Sequence, residues 1–165
     1  MKALDPATIL RRLIDADVRF VLIGGMAAIF LGSTSVTQDL DICYARDKEN
    51  LVRLAGVLKA LAARPRGVDR RLRTVLDAQT LRNGSNFTFE TNAGPLDCLG
   101  EASGGFDYAK LAPNATTESF EGMSVPVVSL DDLIRMKRAA GRPKDLIEIE
   151  NLAALREVRD HRRRK

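Results

Sequence analysis

The sequence predicts an α+β (α/β) domain, with a mixed β-sheet flanked by helices and a helix pair at its C-terminal end. A glycine pair separates an apolar run from an alternating run, which indicates a strand, a turn into a short helix and a second strand. Two later runs alternate like the strands of a hairpin, and two amphipathic segments close the chain. The strands are expected at residues 20–23, 38–45, 86–91 and 95–99, and the closing helices at 130–140 and from 143 to about 158.

Length and composition indicate one ordinary domain. Of the 165 residues, 45% are hydrophobic and 29% are charged, which is typical of a chain that buries one core. We assign residues 1–158 to this domain and residues 159–165 to a basic C-terminal tail. No apolar stretch reaches the length of a membrane span, and the N-terminal segment lacks a signal peptide's apolar region. We therefore expect a cytoplasmic protein without a membrane partner.

Basic residues are concentrated in two segments. Residues 156–165 hold six basic and two acidic side chains, which accounts for the net charge of +4. Residues 64–73 contain five arginines. Both segments could bind RNA, and the arginine cluster could also bind the phosphates of a substrate. A solvated surface is the other interpretation of each segment, and the alternatives stay open.

Local signals place the remaining elements. Asp5 and Pro6 begin an N-terminal helix, and Asp47 begins a long helix that we expect to reach about residue 63, before Pro65. A short helix is expected at residues 76–81, irregular structure at 101–113 and a second hairpin at 119–128. Pro126 should make the last strand of that hairpin an edge strand or an irregular one.

Two carboxylates stand side by side on the second predicted strand. Strand alternation directs Leu40 and Ile42 into the core and puts Asp39 and Asp41 together on the opposite face. Neighbouring carboxylates repel, and each raises the pKa of the other unless a cation lies between them. Oxygen ligands without His or Cys favour Mg²⁺ or Mn²⁺ over zinc, and Mg²⁺ commonly takes substrate phosphates as further ligands.

The glycine pair, Gly24 and Gly25, supplies the complement to such a metal. Bare backbone N–H groups at a helix N-terminus let a phosphate approach closely. A nucleoside triphosphate would then bridge the glycine turn and a metal held by Asp39 and Asp41.

Three other motif classes do not fit. Cys43 stands where an EF-hand loop needs a third oxygen ligand, and Tyr44 replaces its glycine. No Gly-Lys-Ser/Thr follows the glycine pair, which excludes a Walker loop. A hydrolytic triad would have only His161 as its base, which is unfavourable.

The combined pattern resembles the nucleotidyltransferases of the DNA polymerase β type. Its parts are Gly24-Gly25 after a strand, a short helix, and Asp39 and Asp41 on the next strand. Thirteen residues separate Gly25 from Asp39, a spacing similar to the Gly-Gly subgroup that includes AbiEii-type toxins. One position departs from the subgroup, which commonly carries Arg where this chain has Ser35.

The resemblance implies a third site carboxylate on a later strand. Asp97 would join Asp39 and Asp41 as a catalytic and metal-binding residue, with Glu90 as the alternative. Thr37, directly before the acidic pair, would belong to the nucleotide-binding residues.

The resemblance extends to the last two predicted helices. Many subgroup members carry a lysine on the penultimate helix, then basic residues and an Asp-Leu pair that opens the last one. Lys137 would accordingly contact the triphosphate, Lys144 or Arg142 would assist, and Asp145 would orient a basic partner.

The implied fold is the nucleotidyltransferase fold, and the implied function is a metal-dependent enzyme. It would move a nucleoside monophosphate from a triphosphate such as ATP to a hydroxyl of RNA, tRNA included, or of protein. The subgroup also implies a toxin-antitoxin role with a cognate partner as one option. The alternative is a catalytically inactive nucleotide- or RNA-binding protein of the same fold. No motif distinguishes adenine from cytosine.

Overall fold

A computed structural model describes residues 2–69, 71 and 74–164. The helices are α1 (Pro6–Asp15), α2 (Gly24–Phe30), α3 (Lys48–Ala60), α4 (Ala78–Asn83), α5 (Tyr108–Leu111), α6 (Leu130–Ala140) and α7 (Pro143–Arg163), and a 3₁₀ turn, Ala112–Asn114, follows α5. The strands are β1 (Phe20–Ile23), β2 (Leu40–Tyr44), β3 (Arg64–Pro65), β4 (Asn86–Thr91), β5 (Gly94–Leu99), β6 (Glu101–Ala102), β7 (Phe106–Asp107), β8 (Thr116–Phe120) and β9 (Met123–Val127). None of the described helices has the length and apolar character needed to span a membrane.

Seven of the described strands form one mixed sheet in the order β3-β4-β5-β2-β1-β9-β8. β2 runs parallel to β5 and β1 parallel to β9, whereas the other neighbouring pairs are antiparallel. β6 and β7 form a separate two-stranded ribbon. The mixed sheet with its flanking helices confirms the predicted fold class.

The centre of the sheet is covered on both faces. All four residues of β1 are buried, and so are four of the five residues of β2. The exception in β2 is Asp41, which is only partly buried. Charged side chains rarely occupy such central positions without a partner or a function. The two strands therefore supply the core and position a candidate site.

Short polar side chains begin the helices as the sequence predicts. The Asp5 carboxylate accepts a hydrogen bond from the Thr8 backbone N–H, and the Ser129 hydroxyl accepts one from Asp132. Gly141 ends α6 in the left-handed conformation, at φ 62°. These local signals fix the start of α1 and both ends of α6.

Helix boundaries differ from the prediction in α2, α3, α4 and α7, and α4 spans Ala78–Asn83 where residues 76–81 were expected. α2 begins at Gly24, because the glycine pair forms its first turn instead of preceding it. α3 ends earlier than expected, because the chain turns at Ala62, with φ 49°, and enters β3. α7 runs on to Arg163, past the expected end near residue 158, and Arg159 donates a hydrogen bond to the Leu31 carbonyl at 2.9 Å.

Three strand and loop predictions also need correction. β9 is not an edge strand, and Pro126 is tolerated there because β9 meets β1 only where Val127 pairs with Leu22. Residues 101–113 are not irregular but form the β6–β7 ribbon and α5. The arginine-rich segment begins with a strand, β3, that extends the sheet, while positions 70, 72 and 73 of that segment lie outside the described residues.

Candidate active site

Strand register brings the three predicted carboxylates together. Asp41 on β2 lies opposite Asp97 on β5, so both side chains project from the same face of neighbouring parallel strands. Asp39 lies one residue before β2. Carboxylate oxygens of the three residues lie within 4.8 Å of one another. We call Asp39, Asp41 and Asp97 the acidic triad.

The acidic triad has the ligand chemistry of a hard divalent cation. It offers three carboxylates, and no His or Cys of the described residues joins the cluster. Burial, followed by the charges of Asp39 and Asp97, raises the pKa of Asp41 to about 7. Burial also raises the pKa of Asp97, although the Arg66 guanidinium acts in the opposite direction. A divalent cation would relieve this repulsion, so the residues fit a metal site.

The glycine pair stands directly against the acidic triad. Gly24 has φ 69°, and a Cβ atom at that position would fall on the Asp41 carboxylate. A Cβ at Gly25 would lie 2.8 Å from the Thr37 hydroxyl oxygen. No described side chain caps the start of α2. Glycine is therefore needed at both positions to let the backbone of this turn approach the carboxylates.

Thr37, predicted to bind nucleotide, lies beside Asp39. Its hydroxyl group is 2.9 Å from Asp39 Oδ1 and 3.2 Å from the Asp39 carbonyl oxygen, both as hydrogen-bond acceptors. Ser35, at the position where the subgroup commonly has Arg, contacts Ser33 through the two hydroxyl groups at 2.8 Å. The hydrogen bonds of the Thr37 hydroxyl group therefore orient Asp39, a carboxylate of the triad.

Lys137 lies at the site but is held by carboxylates. The residue is buried on α6, and its Nζ atom lies 2.5 Å from Glu148 Oε2 and 3.6 Å from Asp145 Oδ1, both on α7. The other carboxylate oxygen of Glu148 is buried without a hydrogen-bond partner among the described residues. Sequence reasoning did not name Glu148, although it lies one helical turn after Asp145 and thus on the same side of α7.

Arg142 and Asp145 form a fork at the start of α7. Arg142 donates from Nε to Asp145 Oδ2 at 2.7 Å and from its backbone N–H to the same oxygen at 3.2 Å. Burial would raise the pKa of Asp145, but the hydrogen bonds and charges of Arg142 and Lys137 outweigh it and lower the pKa. Asp145 therefore orients basic partners, as its sequence context predicted, while Lys144 is exposed beside it.

A second unpredicted contact involves the arginine-rich segment. Arg66 donates from Nη2 to Asp97 Oδ1 at 2.9 Å. Glu90, the alternative to Asp97, pairs across the sheet with Arg64 and does not join the acidic triad. The structure thus brings Asp97, and not Glu90, to the other two carboxylates.

Two clefts meet at the acidic triad, and both are lined by Gly24, Asp41, Asp97, Lys137 and Arg142. We call the first, of about 450 Å³, the glycine-side cleft; its further lining includes Gly25, Thr37, Asp39, Lys144, Glu148 and Asn151. We call the second, of about 460 Å³, the apolar cleft; its further lining includes Phe87, Leu99, Ala102, Leu133, Met136 and Ala140. Each cleft has the size of a small-molecule site.

A family model for aminoglycoside-2''-adenylyltransferases matches residues 7–152. The chain belongs to this family. It is a nucleotidyltransferase, as the sequence predicted, and the inactive alternative is not favoured. The narrower resemblance to AbiEii-type toxins gains no support, because the matching family is one of antibiotic-modifying adenylyltransferases. A search of curated protein sequences gave no significant match.

Solved structures share the fold at low sequence identity. The lincosamide antibiotic adenylyltransferase LnuA, bound to lincomycin, is 14% identical with a TM-score of 0.63, and the alignment covers 93% of this chain and 99% of LnuA. ANT(2'')-Ia in complex with adenylyl-2''-tobramycin is 17% identical with a TM-score of 0.54, covering 94% and 95% of the two chains. A nucleotidyltransferase-like protein from Paracoccidioides brasiliensis is 16% identical with a TM-score of 0.53, covering 93% and 78%. These matches confirm the nucleotidyltransferase fold.

Proposed function

We propose that the chain transfers AMP from ATP to a hydroxyl group of a small molecule. The acceptor oxygen forms a bond to the α-phosphorus, the bond from that phosphorus to the oxygen bridging the β-phosphate breaks, and pyrophosphate leaves. The observation that carries this proposal is the position of the acidic triad at the junction of two clefts of small-molecule size. One cleft would hold each substrate, and the reacting atoms would meet at the carboxylates.

The glycine-side cleft is the better candidate for ATP. Gly24 and Gly25 leave backbone space for phosphates, and the exposed Lys144 adds a positive charge. Lys137 reaches the same cleft and would neutralise charge that develops on the departing pyrophosphate. Thr37 would act through Asp39, which it holds by a hydrogen bond.

The acidic triad would supply the reaction centre. Asp39, Asp41 and Asp97 would hold the divalent metal, Mg²⁺ or Mn²⁺, which when bound neutralises phosphate charge and lowers the pKa of the attacking hydroxyl. Asp97 borders the apolar cleft and has a raised pKa because it is buried, so it is suited to accept the hydroxyl proton. The catalytic contribution of the chain is mainly positioning and electrostatic stabilisation.

The family and its structural neighbours support the small-molecule acceptor. The family is described by its action on aminoglycosides, and the two neighbours with bound antibiotic or product carry lincomycin and adenylyl-2''-tobramycin. Neither finding supports RNA, tRNA, a protein acceptor or a toxin-antitoxin partner, which the sequence alone had suggested. Those macromolecules are kept as possible outcomes of the experiment.

The test is incubation of the purified protein with α-³²P ATP, Mg²⁺ and, separately, the small-molecule, RNA and protein fractions of a cell extract. We expect label in the small-molecule fraction with wild type and none with Asp39→Asn/Asp41→Asn. The matched control is Asp15→Asn/Asp17→Asn, which removes two exposed carboxylates of the same spacing that line neither cleft. Label on RNA or protein would refute the acceptor class, and no labelled product in any fraction would refute the function.

A further inference from the structure

We propose that the apolar cleft binds an acceptor that is uncharged and largely apolar around its reacting hydroxyl, and that it discriminates against polycationic amino sugars. The inference rests on the proposed function, because it assigns this cleft to the acceptor. Aminoglycosides carry several ammonium groups, so the proposal separates this chain from the substrate class that describes its family.

The charges of the apolar cleft lining disfavour a cationic ligand. Among the described lining residues, the only carboxylates are Asp41 and Asp97, and both belong to the acidic triad. The other charged lining residues, Lys137 and Arg142, are cations. A ligand ammonium group in the cleft would find no carboxylate outside the metal site, and an unpaired charge is costly to desolvate.

The carboxylates beside Lys137 and Arg142 already form ion pairs with these two residues. Glu148 and Asp145 pair with Lys137, and Asp145 also forms the fork with Arg142. Neither acid lines the apolar cleft; both line the glycine-side cleft. The cleft therefore has no spare negative charge with which to bind several ammonium groups.

The walls of the apolar cleft are formed largely by apolar side chains. Leu133, Met136 and Ala140 present one side of α6, while Phe87 and Leu99 come from the neighbouring strands β4 and β5. The Phe87 ring stacks on the buried Phe89 on the other face of the sheet, because Phe87 alternates with Thr88, the residue opposite Asp97. The apolar wall of the cleft is therefore formed by aliphatic side chains, those of Leu99, Ala102 and the α6 residues, and such a wall suits an apolar ligand body.

The remaining polar groups of the lining are neutral. The amide nitrogen of Asn86 donates to the Glu101 carbonyl, and its amide oxygen accepts from the backbone N–H groups of Gly100 and Glu101. Thr88 and Ser103 are exposed at the cleft and present hydroxyl groups. Hydroxyls can orient a sugar hydroxyl or a carbonyl, but they do not compensate an ammonium charge.

The test is a binding comparison that does not require turnover. Protein labelled with ¹³C on its methionine methyl groups is titrated with n-octyl glucoside, with the matched n-octyl glucosaminide, and with tobramycin. Met136 reports on the cleft, and Met123 on β9 is the internal reference. We expect the neutral glucoside to shift Met136 with a dissociation constant lower than that of the glucosaminide by roughly tenfold, and tobramycin to leave Met136 unshifted.

Three results would overturn the inference: tighter or equal binding of the glucosaminide, a Met136 shift with tobramycin, or no Met136 shift with the neutral glucoside. A second variant tests the cause. Ala140→Glu places a carboxylate at the cleft, so it should reduce the preference for the neutral glycoside roughly fivefold. Ala154→Glu, an equal change at an exposed α7 position that lines neither cleft, should leave the preference unchanged. An unchanged preference in Ala140→Glu would also count against the proposal.

These results are separable from the proposed function. AMP transfer to tobramycin by the wild-type protein would refute the charge discrimination and leave adenylyl transfer standing. Absence of labelled product from every extract fraction would refute adenylyl transfer, regardless of the shifts of the Met136 methyl signal that the glycosides cause.

Discussion

Arg66 and Asp97 form a salt bridge, 2.9 Å from Nη2 to Oδ1, at the edge of the acidic triad. The backbone N–H of Arg66 also donates to the Thr88 carbonyl, and Thr88 lies opposite Asp97 in the sheet. The segment that follows β3 is thus attached to the sheet beside the third carboxylate. This segment was predicted to be a solvated loop, an RNA site or a phosphate site, but its Arg66 pairs with Asp97, for which it would compete with a bound metal.

The first prediction is that Arg66→Ala strengthens Mg²⁺ binding. Removal of the guanidinium frees Asp97, and a partly exposed pair is worth about 0.2–1 kcal/mol, so the apparent dissociation constant should fall up to roughly fivefold. Isothermal titration with Mg²⁺ measures this. Arg71→Ala, which breaks an exposed pair with Asp69 in the same segment, serves as the control. Weaker Mg²⁺ binding in Arg66→Ala would contradict the competition.

The second prediction distinguishes the two candidates for the third carboxylate. Asp97→Asn should lower the rate of AMP transfer by about 10²–10⁴-fold, because both a metal ligand and the proton acceptor are lost. Glu90→Gln should keep wild-type activity, because Glu90 pairs with Arg64 across the strands and lies outside the acidic triad. Single-turnover rates with saturating ATP are the measurement. Equal losses in both variants would contradict the assignment of Asp97.

The third prediction concerns pH. The pKa of Asp41 is raised from 3.8 to about 7, first by burial and then by Asp39 and Asp97. Below about pH 7 a metal must displace this proton, so Mg²⁺ affinity should fall as the pH falls and level off above pH 7. Calorimetry in buffers of different ionisation enthalpy should show proton release on Mg²⁺ binding at pH 6. If Mg²⁺ binding released as many protons at pH 9 as at pH 6, the prediction would be contradicted.

The same shift makes the metal-free protein less stable as the pH rises. A carboxyl whose pKa is higher in the folded than in the unfolded state contributes its stability below the unfolded pKa and loses it as the pH rises through the folded value, here about 7. Saturating Mg²⁺ should reverse this trend, because it binds the ionised form in the folded protein. Chemical unfolding at pH 5 and pH 8, with and without Mg²⁺, measures the effect.

The features predicted correctly from the sequence were local ones. Alternation along one strand places Asp39 and Asp41 on one face. In the same way, Asp97 lies between the apolar Leu96 and Cys98, so alternation directs its side chain to the opposite face of β5. The missed residues, Arg66 and Glu148, act across elements: Arg66 reaches Asp97 on another strand, and Glu148 joins α7 to Lys137 on α6. Such contacts depend on how elements pack, which no short pattern specifies.

Substrate class and subgroup were beyond the sequence motifs for a related reason. The glycine pair and the acidic residues describe the phosphate chemistry, which many nucleotidyltransferases share. In the proposed function the acceptor would be selected by side chains such as Leu99 and Met136, which come from separate elements and meet only in the folded chain. The resemblance therefore gave the correct superfamily and an unsupported subgroup.

The fourth prediction concerns the glycine turn. Gly24→Ala should abolish activity and lower the free energy of unfolding by about 1–3 kcal/mol, because φ is 69° and the new Cβ would fall on the Asp41 carboxylate. Gly56→Ala in α3 is the matched control, since no atom lies within 4 Å of its Cβ position. That control should stabilise the protein by about 0.5–1 kcal/mol and retain activity. An active Gly24→Ala enzyme would refute the need for close backbone approach.

The fifth prediction separates two roles of Lys137. Lys137→Met leaves the partly buried Glu148 without its cation, so the free energy of unfolding should fall by about 3–5 kcal/mol. Adding Glu148→Met removes the stranded charge and should restore most of that loss. If Lys137 also contacts the triphosphate, the stable double variant should still transfer AMP slowly and show a raised KM for ATP. The exposed Lys144→Met control should raise that KM without changing stability by more than about 0.5 kcal/mol. Full recovery of activity in the double variant would make Lys137 a purely structural residue, and the sequence-based role at the triphosphate would then be wrong.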